Sequence, residues 1–139
     1  MATVPLYTPE ILALATTLAA WPLDGSLPAT ATVRSRSCGS TLSLGLETDE
    51  DGRIAKVGLT TQACAIGQAA AAIFAAGAVG RNAAGIATTE QALLAWLAGQ
   101  GPMPNWPGLE AIDPARAYPG RHGAIMLAWQ AAQQLLPSG

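Results

Sequence analysis

Charge is scarce in this chain. Only 12% of its 139 residues are Asp, Glu, Lys or Arg, and the formal net charge is −2. The seven Lys and Arg residues are scattered. They leave no basic footprint for nucleic acid and no polybasic patch for a membrane surface. Cysteine is scarcer still: Cys38 and Cys64 are the only two, which argues against a secreted disulfide scaffold. There is no Ser–His–Asp set, no paired buried carboxylates and no Gly-rich phosphate loop, so an enzyme is not expected. Met1 to Pro5 lacks a basic stretch followed by a long apolar run. A cytoplasmic, reducing location is therefore expected.

Apolar residues are abundant instead, at half the chain, which excludes a disordered polypeptide. The length suits one domain with one core, spanning 1–139. One uncharged run, Ala63 to Gly80, is mostly Ala and Gly, with Ile66, Ile73, Phe74 and Val79 its bulky members. A membrane span needs about 20 strongly apolar residues. A run that is apolar all round also describes a helix buried on several sides, and that is the expectation here.

The order of elements reads helix, strands, helices. Thr8-Pro9-Glu10 has the form of a helix start, followed by an apolar stripe of Ile11, Leu12, Leu14 and Leu18 to about Trp21. Pro22 to Pro28 is a turn-rich connector. Ala29 to Ser37 reads as a strand. Thr41 to Thr48 alternates, with Leu42, Leu44 and Leu46 on one face. Asp49-Glu50-Asp51-Gly52 is an acidic hairpin turn. Arg53 to Thr60 is then a strand, with Ala55, Val57 and Leu59 on one face. Cys64 to about Ala78 is the buried helix, and Thr88-Thr89-Glu90-Gln91 opens another. Gly99 to Pro119 holds five of the ten prolines and reads as a long ordered loop or a flexible lid. Gly120 starts a last helix containing Ile125, Met126, Trp129 and Leu135. Three strands followed by helices imply an α+β fold, a three-stranded antiparallel meander with helices packed on one face. Trp96 and Trp129 belong to the core. Trp106 either caps the core or docks a partner.

Three landmarks carry chemistry. Arg36-Ser37-Cys38-Gly39-Ser40 sits between two strands. Gln62-Ala63-Cys64-Ala65-Ile66-Gly67 joins a strand to a helix. Arg121-His122-Gly123-Ala124 leads into Leu127-Ala128-Trp129 of the last helix. In order and spacing they resemble the NifU-like N-terminal domain family, the iron–sulfur cluster assembly scaffolds called IscU and SufU. That family carries a CGD motif, a GCxIS-like motif opening a helix, and a last cysteine opening the final helix. The resemblance runs from the first helix through Trp129 and implies the same SufE/NifU-like α+β fold.

The chain departs from the family at two positions. Ser40 stands at the CGD aspartate, and its hydroxyl is a far poorer ligand than a carboxylate. Ala124 stands at the last cysteine, and it has neither a nucleophile nor a lone pair. The resemblance implies metal ligation by Cys38 and Cys64. For Cys64 a helix start adds a physical reason, since exposed backbone N–H groups favour a thiolate. For each, the alternative is a small buried core cysteine. His122 would make a third ligand, with water or a partner cysteine as the fourth; otherwise it is a surface histidine in a Gly-rich loop. Arg34, Arg36, Arg116 and Arg121 gather near the two cysteines or are ordinary solvated side chains. Arg121 matches a basic residue of the family and is a candidate partner contact. In a meander both cysteines return to one end of the sheet, close enough to share a metal.

Two readings follow. In one, the chain is scaffold-like and binds iron, zinc or an iron–sulfur cluster through Cys38 and Cys64, with a homodimer able to complete four ligands. In the other, it is a degenerate relative that binds a cysteine desulfurase or another assembly partner and carries no cluster.

Overall fold

Alternation builds the sheet. Strand β2, Thr41–Thr48, buries Leu42, Leu44 and Leu46 on one face. It is the central strand, flanked in antiparallel pairing by β1, Ala29–Arg34, and β3, Ile54–Gln62. The structure is a computed structural model and describes residues 8–36 and 39–136. The hairpin between β2 and β3 closes on Asp49, whose carboxylate accepts the backbone N–H groups of Asp51 and Arg53. Gly52 adopts φ +77° there, which glycine tolerates without a Cβ clash.

One inward residue of β3 differs from the expected alternation. Glu47 pairs with Lys56, but Thr48 pairs with Ile54, so Ala55 has no partner across the strand pair. This bulge turns Ile54 into the core and leaves Ala55 exposed. Val57 and Leu59 are buried as expected.

The helices cover the Leu face. Helix α1, Pro9–Thr16, starts where Thr8 Oγ1 accepts the Ile11 N–H at 3.1 Å, and it tightens into a 3₁₀ turn at Thr17–Ala20. Helix α2, Ala65–Ala78, buries ten of its fourteen residues, so its small side chains face neighbours all round. Helix α3 is Ala83–Leu97 and α4 is His122–Leu135. Helix α4 lies on β1 and β2, while α2 lies on β3 and between α1 and α4; α3 packs on α4. No helix of the described residues is long and apolar enough to cross a membrane.

Helix α3 begins five residues before Thr88. Gly80, at φ +92°, follows the end of α2, and Asn82 Oδ1 then accepts the Gly85 N–H at 2.9 Å. That earlier cap sets the boundary, and Thr88 and Thr89 fall inside the helix. The proline-rich stretch from Gly99 to Pro119 is a long ordered segment with a helix in its second half. Leu109–Ala117 is a 3₁₀ helix that buries Leu109, Ile112 and Ala115 against the core. Trp106 is likewise core. Its indole N–H donates to the Ile73 carbonyl at 2.9 Å, and its ring stacks on Phe74 with Trp129 edge-on. The bare Cα of Gly77 makes room, because a Cβ there would lie 2.6 Å from the indole nitrogen.

The connector from α1 crosses the other face of the sheet. The Leu59 N–H on the edge of β3 donates to the Trp21 carbonyl at 2.9 Å. Gly45 and Gly58 pair across β2 and β3 and leave a flat patch on which Leu23 and Leu27 lie. A Cβ at Gly58 would come within 2.3 Å of the Pro22 carbonyl oxygen, which cannot swing aside. Gly58→Ala should therefore destabilise the protein by about 1–3 kcal/mol, while Gly25→Ala, with nothing within 4 Å, should change stability by less than about 0.5 kcal/mol. Urea unfolding of the two variants checks this: equal midpoints would show that the connector does not press on the sheet.

Candidate functional site

Register decides which landmarks meet. Arg34 pairs with Thr41, and Thr41 pairs with Gln62. The β1–β2 loop and the exit of β3 therefore share one end of the sheet. The loop is closed by backbone bonds: the Ser35 N–H donates to the Ser40 carbonyl at 2.8 Å, and the Gly39 N–H donates to the Ser35 carbonyl at 3.0 Å. Gly39 has φ +72°, the conformation expected of a glycine in this tight turn. Ser35 and Ser40 are both buried. Cys38 lies outside the described residues.

Cys64 is the N-cap residue of α2, with extended backbone (φ −66°, ψ 170°) and no side-chain capping bond. Its carbonyl accepts the Gln68 N–H at 3.0 Å, and the Gln68 side-chain amide donates to the Ala63 carbonyl at 2.9 Å. The thiol is free and half-buried, packed against the edge of the core. Its sequence context predicted this place at a helix start.

Position 124 joins the same end. Ala124 is buried in the first turn of α4, directly beside the first turn of α2. A Cβ added to Gly67 would lie 2.7 Å from the Ala63 Cβ and 3.2 Å from the Ala124 Cβ. Two small residues thus let α2 and α4 meet next to Cys64. The fold gathers the loop around position 38, the N-cap at 64 and the helix start at 124, and it places a methyl group at the third of them.

His122 is the first residue of α4 rather than part of a loose glycine-rich loop. It is half-buried, and its Nε2 lies 3.2 Å from the Ala115 carbonyl. A carbonyl can only accept, so Nε2 carries a hydrogen and faces away from any ligand position it could fill. Among the described residues, no three His, Cys, Asp or Glu side chains form a metal-holding group.

The arginines divide. Arg34 and Arg36 are exposed at the end of β1, and Arg121 precedes α4, so these three lie at the landmark end. Arg116 does not join them. Its Nε donates to the Trp96 carbonyl at 3.1 Å, its guanidinium lies over the Trp96 ring, and it pairs with Asp113 at 3.3 Å. The two perturbed carboxyls are elsewhere. Bonds from the Ser26 hydroxyl and backbone hold Asp24 below the usual range. Burial pushes Glu90 up, partly offset by its bond to Gln133.

No family model and no curated protein matches the chain at the level of sequence. Solved structures do match. A NifU-like protein (N-terminal part) from Brucella abortus is 27% identical, with a TM-score of 0.83 over 94% of this chain and 91% of that one. A candidate iron–sulfur cluster assembly scaffold of the SUF system from Fervidobacterium islandicum AW-1 shares the fold at 18% identity and a TM-score of 0.80, covering 94% and 96%. Neither is described as an enzyme.

The α2–α4 contact sets the spacing of this end. Gly67→Ala should cost about 1–3 kcal/mol, because the Ala63 methyl has no rotamer by which to retreat. It should also raise the alkylation rate of Cys64 as the helix start is pushed outward. Unchanged stability and unchanged alkylation would mean that the two helices have slack here.

Proposed function

Because the chain is a domain of the NifU/IscU/SufU type, we propose that it is an iron–sulfur assembly scaffold-like protein. It is taken as one domain, 1–139, that carries iron, zinc or a cluster as cargo through Cys38 and Cys64. The observation behind this is the meeting of three elements at one end of the sheet, with the half-buried Cys64 thiol at the N-cap of α2. The first-turn amides of α2 stabilise negative charge on a coordinated sulfur. His122 can add its Nδ1, since the Ala115 carbonyl fixes the tautomer from the other side of the ring. A second copy of the chain would supply the ligands that Ser40 and Ala124 do not. Sulfur transfer needs a thiol acceptor, and position 124 offers none, so any sulfur delivered here goes to Cys38 or Cys64.

Arg34, Arg36 and Arg121 form a positive rim around this end, with the acidic hairpin turn at the opposite end of the sheet. Such a rim suits an acidic surface on a cysteine desulfurase or another assembly protein. The tight packing of Ala124 against Gly67 favours the second reading, in which the chain binds such a partner and carries no cluster.

Iron, zinc and acid-labile sulfide measured on protein purified without oxygen separate the two. Scaffold function predicts bound metal that is lost in Cys38→Ala and Cys64→Ala. Ala124→Cys should hold the metal at least about tenfold more tightly through one added thiolate. Metal-free wild type after reconstitution with iron and sulfide, together with retained desulfurase binding, would leave the partner-only reading.

A further inference from the structure

The far end of α2 holds a cluster with no part in the metal chemistry. Fourteen helical residues rise about 21 Å, so the turn after Ala78 is about 20 Å from Cys64. Arg81 lies in that turn. Its Nε donates to the Gly77 carbonyl at 2.7 Å, and its guanidinium carbon sits 3.8 Å from the centre of the Trp106 ring. The side chain is half-buried and clamped on one edge and one face. Its two terminal nitrogens have no carboxylate partner among the described residues, where Arg116–Asp113 is the ion pair.

Arg81 borders an open cavity of about 390 Å³ along the flank of α3, lined also by Ala84, Gly85, Thr88, Thr89 and Ala92 and by Pro104 and Asn105 of the following segment. No acidic residue lines it. Thr89 is nine-tenths buried as a residue, but its hydroxyl, which makes no hydrogen bond among the described residues, stays open to solvent. A helical threonine usually bonds back to its own preceding turn when it has nothing else to bond. The start of α3 opens on the same space. Asn82 takes the N–H groups of Gly85 and Ile86, and those of Ala83 and Ala84 have no acceptor. A clamped cation, two threonines, an asparagine and the first turn of α3 thus adjoin one cavity whose lining carries no negative charge.

We propose that this cavity binds a phosphoryl group, as free phosphate or as a phosphomonoester. Arg81 supplies paired donors and most of the charge. The α3 start adds backbone N–H groups and the positive end of the helix dipole. Thr88, Thr89 and Asn105 add further donors from the cavity lining, which suits an oxyanion with several acceptor oxygens. The volume leaves room for the organic part of an ester beside the phosphate.

The test is an NMR titration of the full-length protein with inorganic phosphate and separately with O-phosphoserine, each against sodium chloride at equal ionic strength. Binding predicts saturable shifts at the amides of Ala84, Gly85 and Thr88 that chloride does not reproduce. Arg81→Gln should weaken binding about tenfold or more, as expected for loss of a charge-assisted pair. Thr88→Val removes an exposed hydroxyl without touching the Trp106 stack and should weaken binding a few-fold. Tighter binding of O-phosphoserine than of phosphate identifies esters as the ligands, and the reverse identifies the free anion. Shifts that grow linearly for both and match those in chloride overturn the proposal. So does unchanged affinity in both Thr88→Val and a folded Arg81→Gln. None of these readouts depends on metal at the other end of the molecule.

Discussion

The molecule depends on how closely α2 can be approached. Ten of its fourteen residues are buried, and seven of those ten are Ala or Gly. Small side chains bring neighbouring backbones near one another, and a helix flanked on several sides needs that everywhere along its length. At its start, Gly67 admits Ala124 of α4; near its end, Gly77 admits the Trp106 indole. Of the few large residues, Phe74 stacks on Trp106 and meets Trp129 edge-on, and Ile66 and Ile73 are buried in the same core. Everything placed at either end of α2 inherits its position from this packing.

Elements whose boundaries are set by local chemistry were legible in the sequence. Thr8 followed by Pro9 fixed the start of α1, and the alternation of Leu42, Leu44 and Leu46 marked β2 from end to end. The misses share a cause, which is a competing signal just outside the window. Asn82 captured the helix start assigned to Thr88, because an earlier cap with helix-tolerant residues after it wins. Ala55 fits an alternating strand, but the bulge opposite Glu47 and Thr48 depends on the pairing and not on the strand alone. Pro and Gly between Gly99 and Pro119 marked irregular backbone. They could not show that Leu109, Ile112 and Ala115 sit at a spacing that a 3₁₀ helix buries.

The candidate site was legible in outline. Cys64 at the N-cap, Gly39 in a tight turn and position 124 at a helix start follow from landmarks that were in view. The partner of His122 was not, because the Ala115 carbonyl belongs to the 3₁₀ helix that the sequence did not reveal. Arg116 was misplaced for the same reason: its ties to Trp96 and Asp113 depend on where that segment turns. The Arg81 cavity gave no signal in the sequence, since a lone arginine after a glycine reads as a solvated turn.

Fold and metal are separable in such a domain. A zinc finger is unfolded without its ion because it has no other core. Here the core reaches from Ile11 to Leu136, and Cys64 only packs against its edge. The loop at position 38 is closed by the Ser35 and Ser40 backbones, and Ala124 contributes a methyl to helix packing. A serine at 40 and an alanine at 124 therefore suit a fold that is held by packing. On the proposed reading, what the end of the sheet carries is decided by the thiols there, and the half-buried Cys64 at the start of α2 is the described one.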